Sequence, residues 1–266
     1  MLQHVERSGL DLLIAPEFLE RGVLVAFTGV DGGCSAGPFS SLNLSYNVGD
    51  DRDAVAENRR RVAEAIGVPV EKWVLCGQVH GRRVEQVTSL EVGRGAVDYE
   101  SAMPRTDGLI TDLQGVAISV LTADCLPVVI TAPGPGVAVA HAGWRGMLAG
   151  TAVVASGMLA KKLGCSAREI TCFIGPHIGA CCMDADAALA ERFRSRFGDS
   201  VVRPAHDGKA KIDLEAACRF QLESAGVLPG AIFSVRECTE CTERLFSYRR
   251  SIGVCGRQGG FAAILE

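Results

Sequence analysis

Between Gly115 and Gly143 the chain reads GVAISVLTADCLPVVITAPGPGVAVAHAG. Apolar runs of strand length follow one another with little polar relief, the pattern of strands buried in a sheet. PGPG (Pro133–Gly136) makes a tight connection between two of them. The segment is therefore expected to place GVAISVLTAD, Cys125 with PVVI, and VAVAHAG in strands. Asp124, Cys125 and Pro127 are unusual padding for a plain core strand. Local sequence leaves three roles open for Cys125: core packing, nucleophile or metal ligand.

The rest of the chain surrounds these strands with helices. GVLVAFTG (Gly22–Gly29) reads as a buried strand running into a glycine-rich loop, GVDGGCSAGPFSS, whose amides are expected to face solvent or a ligand. DDRDAVAENRRRVAEAIG is a helix: acids crowd its first turn, Val55, Val62 and Ile66 share a face, and Gly67 with Pro69 ends it. KWVLCGQVHG is a strand that breaks at Gly81. Met147 to Leu163 is expected to be one helix lying close on a sheet, with Gly150 and Gly157 permitting near approach. EITCFIG, AIFSVREC and GGFAAILE read as strands, and DADAALAERFRSRFG and DLEAACRFQLESAG as helices. No fixed-period repeat or low-complexity linker interrupts the pattern. The expectation is a single α+β domain over residues 1–266, with helices covering mixed sheets.

Composition excludes several partners. A net charge of −4 gives no electrostatic footprint for nucleic acid or an anionic membrane. No apolar stretch reaches the length of a membrane-spanning helix, and the N-terminus lacks the pattern of a signal peptide. A soluble cytoplasmic protein is expected. Its eleven cysteines then read as thiols or metal ligands rather than a disulfide framework.

The chain has five histidines, few enough to weigh singly. His4 and His206 sit in polar sequence and are expected to be solvated; His177, in GPHIGACC, reads as a structural loop residue. His80 and His141 fall where apolar strands meet a glycine, and strand ends are where α/β sheets collect ligands and catalytic groups. Two imidazoles and the Cys125 thiol suit a zinc site with an open fourth position. Their separations, 45 and 16 residues, are not a zinc-finger signature, so a core thiol with two satisfied histidines stays open. CTEC (Cys238–Cys241) is a CxxC with no second CxxC and no thioredoxin-like context, and free thiols are expected there. Arg145, ahead of a helix in GWRGMLAG, is a site for an anion or simply a surface residue.

Several motifs occur in one order across nearly the whole chain: GGCSAGPFSSLNLSYNVGDD, NRRR, GQVHG, TDGLIT, LTADCLPVVI, VAVAHAGWRG, IGPHIGACC and FSYRR. Together they resemble the laccase-domain or polyphenol oxidase-like family, also linked to peptidoglycan editing and associated with zinc-dependent purine nucleoside phosphorolysis and adenosine deamination. The resemblance implies an α/β/β/α layering with mixed sheets. It implies that His80, Cys125 and His141 bind the metal. The implied cofactor is zinc, with copper able to occupy the same ligands in vitro. The implied partners are a purine nucleoside (adenosine, inosine or methylthioadenosine) and phosphate. Many family members carry an arginine two residues before the Gly-Gly of the first loop, where this chain has Val30.

For the chemistry so implied, Asp124 and Asp107 are the expected proton carriers, or else anchors for the ligands. Arg145 is the expected phosphate clamp, with Ser41 and Asn43 as further substrate contacts. Three rival readings remain, one of them a non-catalytic binding or redox-sensing protein that would show neither nucleoside turnover nor a metal requirement. Cys125 could be a metal-free hydrolytic nucleophile with His141 or His80 as its base, acting on peptidoglycan precursors. A multicopper oxidase ranks lower, because five histidines with two well placed cannot hold a copper cluster.

Overall fold

Residues 1–205 and 208–266 are described by a computed structural model. Two mixed sheets are stacked face to face. The first has seven strands in the order Gln3–Arg7, Leu10–Ile14, Val23–Thr28, Gln258–Ile264, Ala117–Thr122, Trp73–Gly77 and Met103–Pro104. The second has six, in the order Ile232–Ser234, Thr171–Ile174, Leu126–Thr131, Val137–Ala142, Gly108–Thr111 and Val84–Gln86. Both combine parallel and antiparallel neighbours. Ala117–Thr122, for example, pairs antiparallel with Gln258–Ile264 and parallel with Trp73–Gly77.

Packing follows from the alternation of side chains along each strand. Inward-facing Val25, Phe27, Val74, Ile118 and Val120 of the first sheet meet Leu109, Val129, Val139 and Phe173 of the second. The outer face of the first sheet takes the helix Arg52–Ile66, through Val62, Ala65 and Ile66 against Leu12, Leu24, Trp73 and Phe261. That helix starts where Asp51 accepts the amides of Asp53 and Ala54, and ends at left-handed Gly67, as its sequence predicts. Complete burial of Val62 and Ile66 contributes ~1.5–3 kcal/mol each. The helices Thr151–Leu163, Ala187–Phe197 and Leu214–Ser224 cover the second sheet through Ala155, Leu159, Phe193, Ala217 and Leu222. The result is the α/β/β/α layering expected from the resemblance. Among the described residues no helix is long and apolar enough to cross a membrane.

Two expectations are corrected. Cys125 is not inside a strand. Ala117–Thr122 belongs to the first sheet and Leu126–Thr131 to the second, so the chain changes sheets through Ala123, Asp124 and Cys125. Asp124 makes the turn with φ 85°, a left-handed conformation that Asp tolerates better than most side chains. The expected helix from Met147 is two helices, Trp144–Ala149 and Thr151–Leu163, divided at left-handed Gly150. Gly157 gives no close approach, since a β-carbon there would meet only open space.

Candidate metal centre and active site

The turn between the sheets delivers Cys125 to two imidazoles. His141 comes from the strand Val137–Ala142, and His80 from a bend just beyond the strand Trp73–Gly77. One ligand atom from each of His80, Cys125 and His141 lies within 4.8 Å of the others. The two imidazole rings meet edge to face at 4.8 Å. Gly143 is required here: a β-carbon on it would stand 2.8 Å from Cys125 Sγ and 2.9 Å from His80 Cδ2.

Asp107 organises both histidines. Its side chain is fully buried and accepts the amides of Val79 (3.2 Å), His80 (2.9 Å) and Gly81 (2.7 Å). It also accepts Nδ1–H of His141 at 2.9 Å, which leaves Nε2 of that ring for a ligand. The three amide bonds hold His80 in its left-handed turn, φ 59°. Burial alone would raise the Asp107 carboxyl, but the His141 imidazole and the amides hold it below the usual range.

Charge at the centre favours a cation. Burial works against the Cys125 thiolate, yet His141 and His80 outweigh it and bring the thiol down to about 6. Burial likewise disfavours the His141 imidazolium, but the Cys125 and Asp107 charges raise it to about 9. A thiolate and two imidazoles form a nitrogen–sulfur donor set of the kind that zinc takes. Cys76, nearby, behaves differently: burial and Asp107 push its thiol well up and keep it neutral.

The three ligands lie on the wall of a cavity of about 760 Å³. Aromatic side chains Tyr46, Tyr99, Trp144 and Tyr248 and the guanidinium groups of Arg59, Arg249 and Arg257 also line it. Arg59 is committed to structure, donating to the carbonyls of Leu44, Gly95 and Ala96. Arg249 is about a third exposed and keeps long contacts, at 3.7 Å to Asp184, 3.9 Å to Met183 Sδ and 4.0 Å to Glu240, whereas Arg257 donates to the Cys255 and Gly256 carbonyls at 2.8 and 2.9 Å. These two arginines and Tyr248, in or near FSYRR, carry no residue-by-residue expectation from sequence. The signal was a motif with two adjacent arginines, of which Arg249 reaches the cavity while Arg250 bonds to the carbonyls of Thr239, Glu240, Thr242 and Leu245.

The other expected site residues are spread more widely. Asp124 is on the cavity wall, with Oδ1 accepting the Thr239 hydroxyl at 2.6 Å and Oδ2 the Arg249 amide at 2.7 Å. Arg145 is not on the wall; it is exposed, with its guanidinium 4.1 Å from the Trp144 ring centroid. Ser41 and Asn43 also lie off the wall. Ser41 bonds to Val30 and Gly33, while Asn43 bonds to Ser45, Asp50 and Arg257. Amides of the first loop expected to face solvent or a ligand are in part turned inward. Gly33 N meets Ser41 Oγ and Cys34 N meets Asn58 Oδ1. Val30 packs against the Ala123, Phe246 and Cys255 cluster, directly beside the Asp124 turn.

A family described as multi-copper polyphenol oxidoreductase laccase matches residues 24–265. The chain belongs to that family. Purine nucleoside phosphorylase YlmD of Geobacillus stearothermophilus is 40% identical over 252 residues, covering 93% of this chain and 91% of the relative. A crystal structure of YlmD from the same species superposes with a TM-score of 0.92 at 38% identity, covering 100% and 99% of the two chains. Adenosine deaminase RL5, from an unknown prokaryotic organism, is 34% identical over 220 residues, 81% of this chain and 84% of the relative.

Within this laccase-like family the present chain assigns its histidines clearly. His4 is on the surface between Asp11 and Glu237. His177 is buried, bonded through Nδ1 to the Gly175 carbonyl, and burial pushes its pKa down. His206 lies outside the described residues. Among those described, His80 and His141 are the two that share a potential metal site.

Proposed function

We propose that this protein is a zinc-dependent purine nucleoside phosphorylase that also deaminates adenosine. The reading rests on one observation: the His80–Cys125–His141 donor set opens onto a cavity lined by aromatic rings and by Arg249 and Arg257. The names of its relatives, purine nucleoside phosphorylase YlmD and adenosine deaminase RL5, agree with it. Adenosine, inosine and methylthioadenosine are its proposed substrates.

His80, Cys125 and His141 would hold the ion. When bound, zinc supplies Lewis-acid polarisation. The side chains do the rest. Tyr46, Tyr99, Tyr248 and Trp144 provide apolar faces for stacking a purine. Arg249 and Arg257 take the part expected of Arg145, donating charge-assisted hydrogen bonds to phosphate. In phosphorolysis an oxygen of hydrogen phosphate bonds to C1′ of the ribose as the bond from C1′ to the purine nitrogen breaks, and the departing base takes up the proton that the phosphate gives up. In deamination water adds at C6 and ammonia leaves. Asp124 is a positioning residue in this scheme, because both of its oxygens are already engaged in holding the turn that carries Cys125. Asp107 is likewise a positioning residue, orienting His141 and the His80 bend.

A second reading has one observation in its favour. A thiol lowered to about 6 beside an imidazole is also what a cysteine nucleophile requires. On that reading Cys125 attacks substrate directly, and peptidoglycan precursors are the suggested target. Copper oxidase chemistry ranks below both, since two histidines and one thiol hold a single ion. Purified zinc-loaded protein given adenosine, with and without phosphate, tests the proposal. Adenine with ribose 1-phosphate, or inosine, supports it, and the absence of both refutes it.

A further inference from the structure

CTEC does have a partner pair. The fold brings Cys181 and Cys182 against Cys238 and Cys241, placing one sulfur from each within 4.8 Å of the other three. Sγ of Cys241 is 3.4 Å from that of Cys182 and 3.7 Å from that of Cys181. Four thiolates around one tetrahedral zinc, with Zn–S ≈ 2.3 Å, have sulfur–sulfur edges of about 3.8 Å. An iron–sulfur cluster needs its thiolates spread further apart to span several irons. We infer that Cys181, Cys182, Cys238 and Cys241 form a second, structural zinc site, separate from the His80–Cys125–His141 centre.

The surroundings suit a metal thiolate. The Gly179 amide donates to Cys238 Sγ at 3.2 Å, as amides do to metal-bound sulfur. A β-carbon on Gly179 would lie 3.2 Å from both Cys181 Sγ and Cys238 Cβ, so the loop closes tightly over the sulfurs. Four thiolates on a divalent ion leave a net charge of −2. Arg250 brings a positive charge close to it, bonded to the Thr239 and Glu240 carbonyls between the two CTEC ligands.

The site's position gives it a purpose. It ties segment 178–183 to segment 238–241, and both reach the active-site turn. Ile178 donates its amide to the Asp124 carbonyl at 2.9 Å, and Thr239, between the two CTEC cysteines, donates its hydroxyl to Asp124 Oδ1. Ile178 and Met183 also line the cavity. The second ion is therefore a clamp on the turn that presents Cys125, and it acts without touching substrate.

Metal analysis of the full chain purified under reducing conditions tests this. Two zinc ions per chain are expected in the unaltered protein. One should remain in a His80→Ala/His141→Ala variant, with an X-ray absorption spectrum of sulfur neighbours alone at about 2.3 Å. A Cys181→Ser/Cys241→Ser variant should also retain one, now with nitrogen neighbours. If that variant does not fold, the histidine variant and the unaltered protein still decide the matter. No ion in the histidine variant, an iron–sulfur spectrum, or a disulfide between Cys182 and Cys241 overturns the inference. None of those results bears on nucleoside turnover at the first centre.

Discussion

Oδ1 of Asp107 lies 2.9 Å from Nδ1 of His141, while the same carboxylate receives the amides of Val79, His80 and Gly81. One buried side chain therefore sets both imidazoles. It fixes the tautomer of His141 and the backbone of the bend that carries His80.

Replacing Asp107 with Asn should disturb both at once, since an amide has one acceptor oxygen for four donors. Zinc affinity should fall ~10–100-fold, the usual loss when the partner of a metal-bound histidine is removed. Competition with a chromophoric chelator measures it, and turnover with excess zinc restored separates lost metal from lost geometry.

Asp124→Asn distinguishes holding from proton transfer. Asn tolerates the left-handed turn and keeps an acceptor for Thr239 or Arg249. A positioning role predicts a loss in kcat below ~10-fold and an unshifted pH profile. A general acid or base would show a loss of ~10²–10⁴-fold.

The depressed thiol makes Cys125 the most reactive cysteine of the cavity once metal is stripped. With its pKa brought from 9.0 to about 6, the thiolate dominates at pH 7 and is lost only as pH falls through about 6. Iodoacetamide labelling of chelator-treated protein, mapped by mass spectrometry, should therefore be half-maximal near pH 6 at Cys125. Zinc should abolish it at neutral pH, where the ligands are deprotonated, and Cys76 should remain unlabelled throughout.

Arg249→Ala and Arg257→Ala should each raise KM for phosphate ~10–100-fold, the worth of a hydrogen bond to a charged group. Deamination of adenosine, which uses no phosphate, should change much less. Arg145→Ala should leave both reactions within ~2-fold, as surface substitutions do.

Arg59→Met tests the scaffold beneath the cavity. The change orphans the buried carbonyls of Leu44, Gly95 and Ala96 and should destabilise the protein by ~2–4 kcal/mol, read from urea unfolding.

The sequence reading located His80 and His141 because each apolar run stops at a glycine beside a histidine. It could not see that VLTADCLPVVI crosses between sheets. An apolar run looks the same whether it continues one strand or joins two, and the turn at Asp124 depends on Thr239 and Arg249, more than a hundred residues away in sequence. Ser41 and Asn43 misled for a similar reason. Asn58, on the helix Arg52–Ile66, accepts the Cys34 amide and donates to the Ser41 and Asn43 carbonyls, which holds this loop against the helix instead of at the cavity. The CC pair at 181–182 and CTEC are both plain in the sequence. Only the meeting of segment 178–183 with segment 238–241 makes them one site.

The most direct measurement follows ribose 1-phosphate formed from adenosine and phosphate before chelation, after chelation, and after zinc is restored. The expected result is stoichiometric adenine and ribose 1-phosphate, loss of both on chelation, recovery with zinc, and no product from Cys125→Ser under any condition. Turnover that survives complete removal of metal, or zinc-loaded protein that forms neither ribose 1-phosphate nor inosine, would contradict a zinc centre at His80, Cys125 and His141 acting on purine nucleosides.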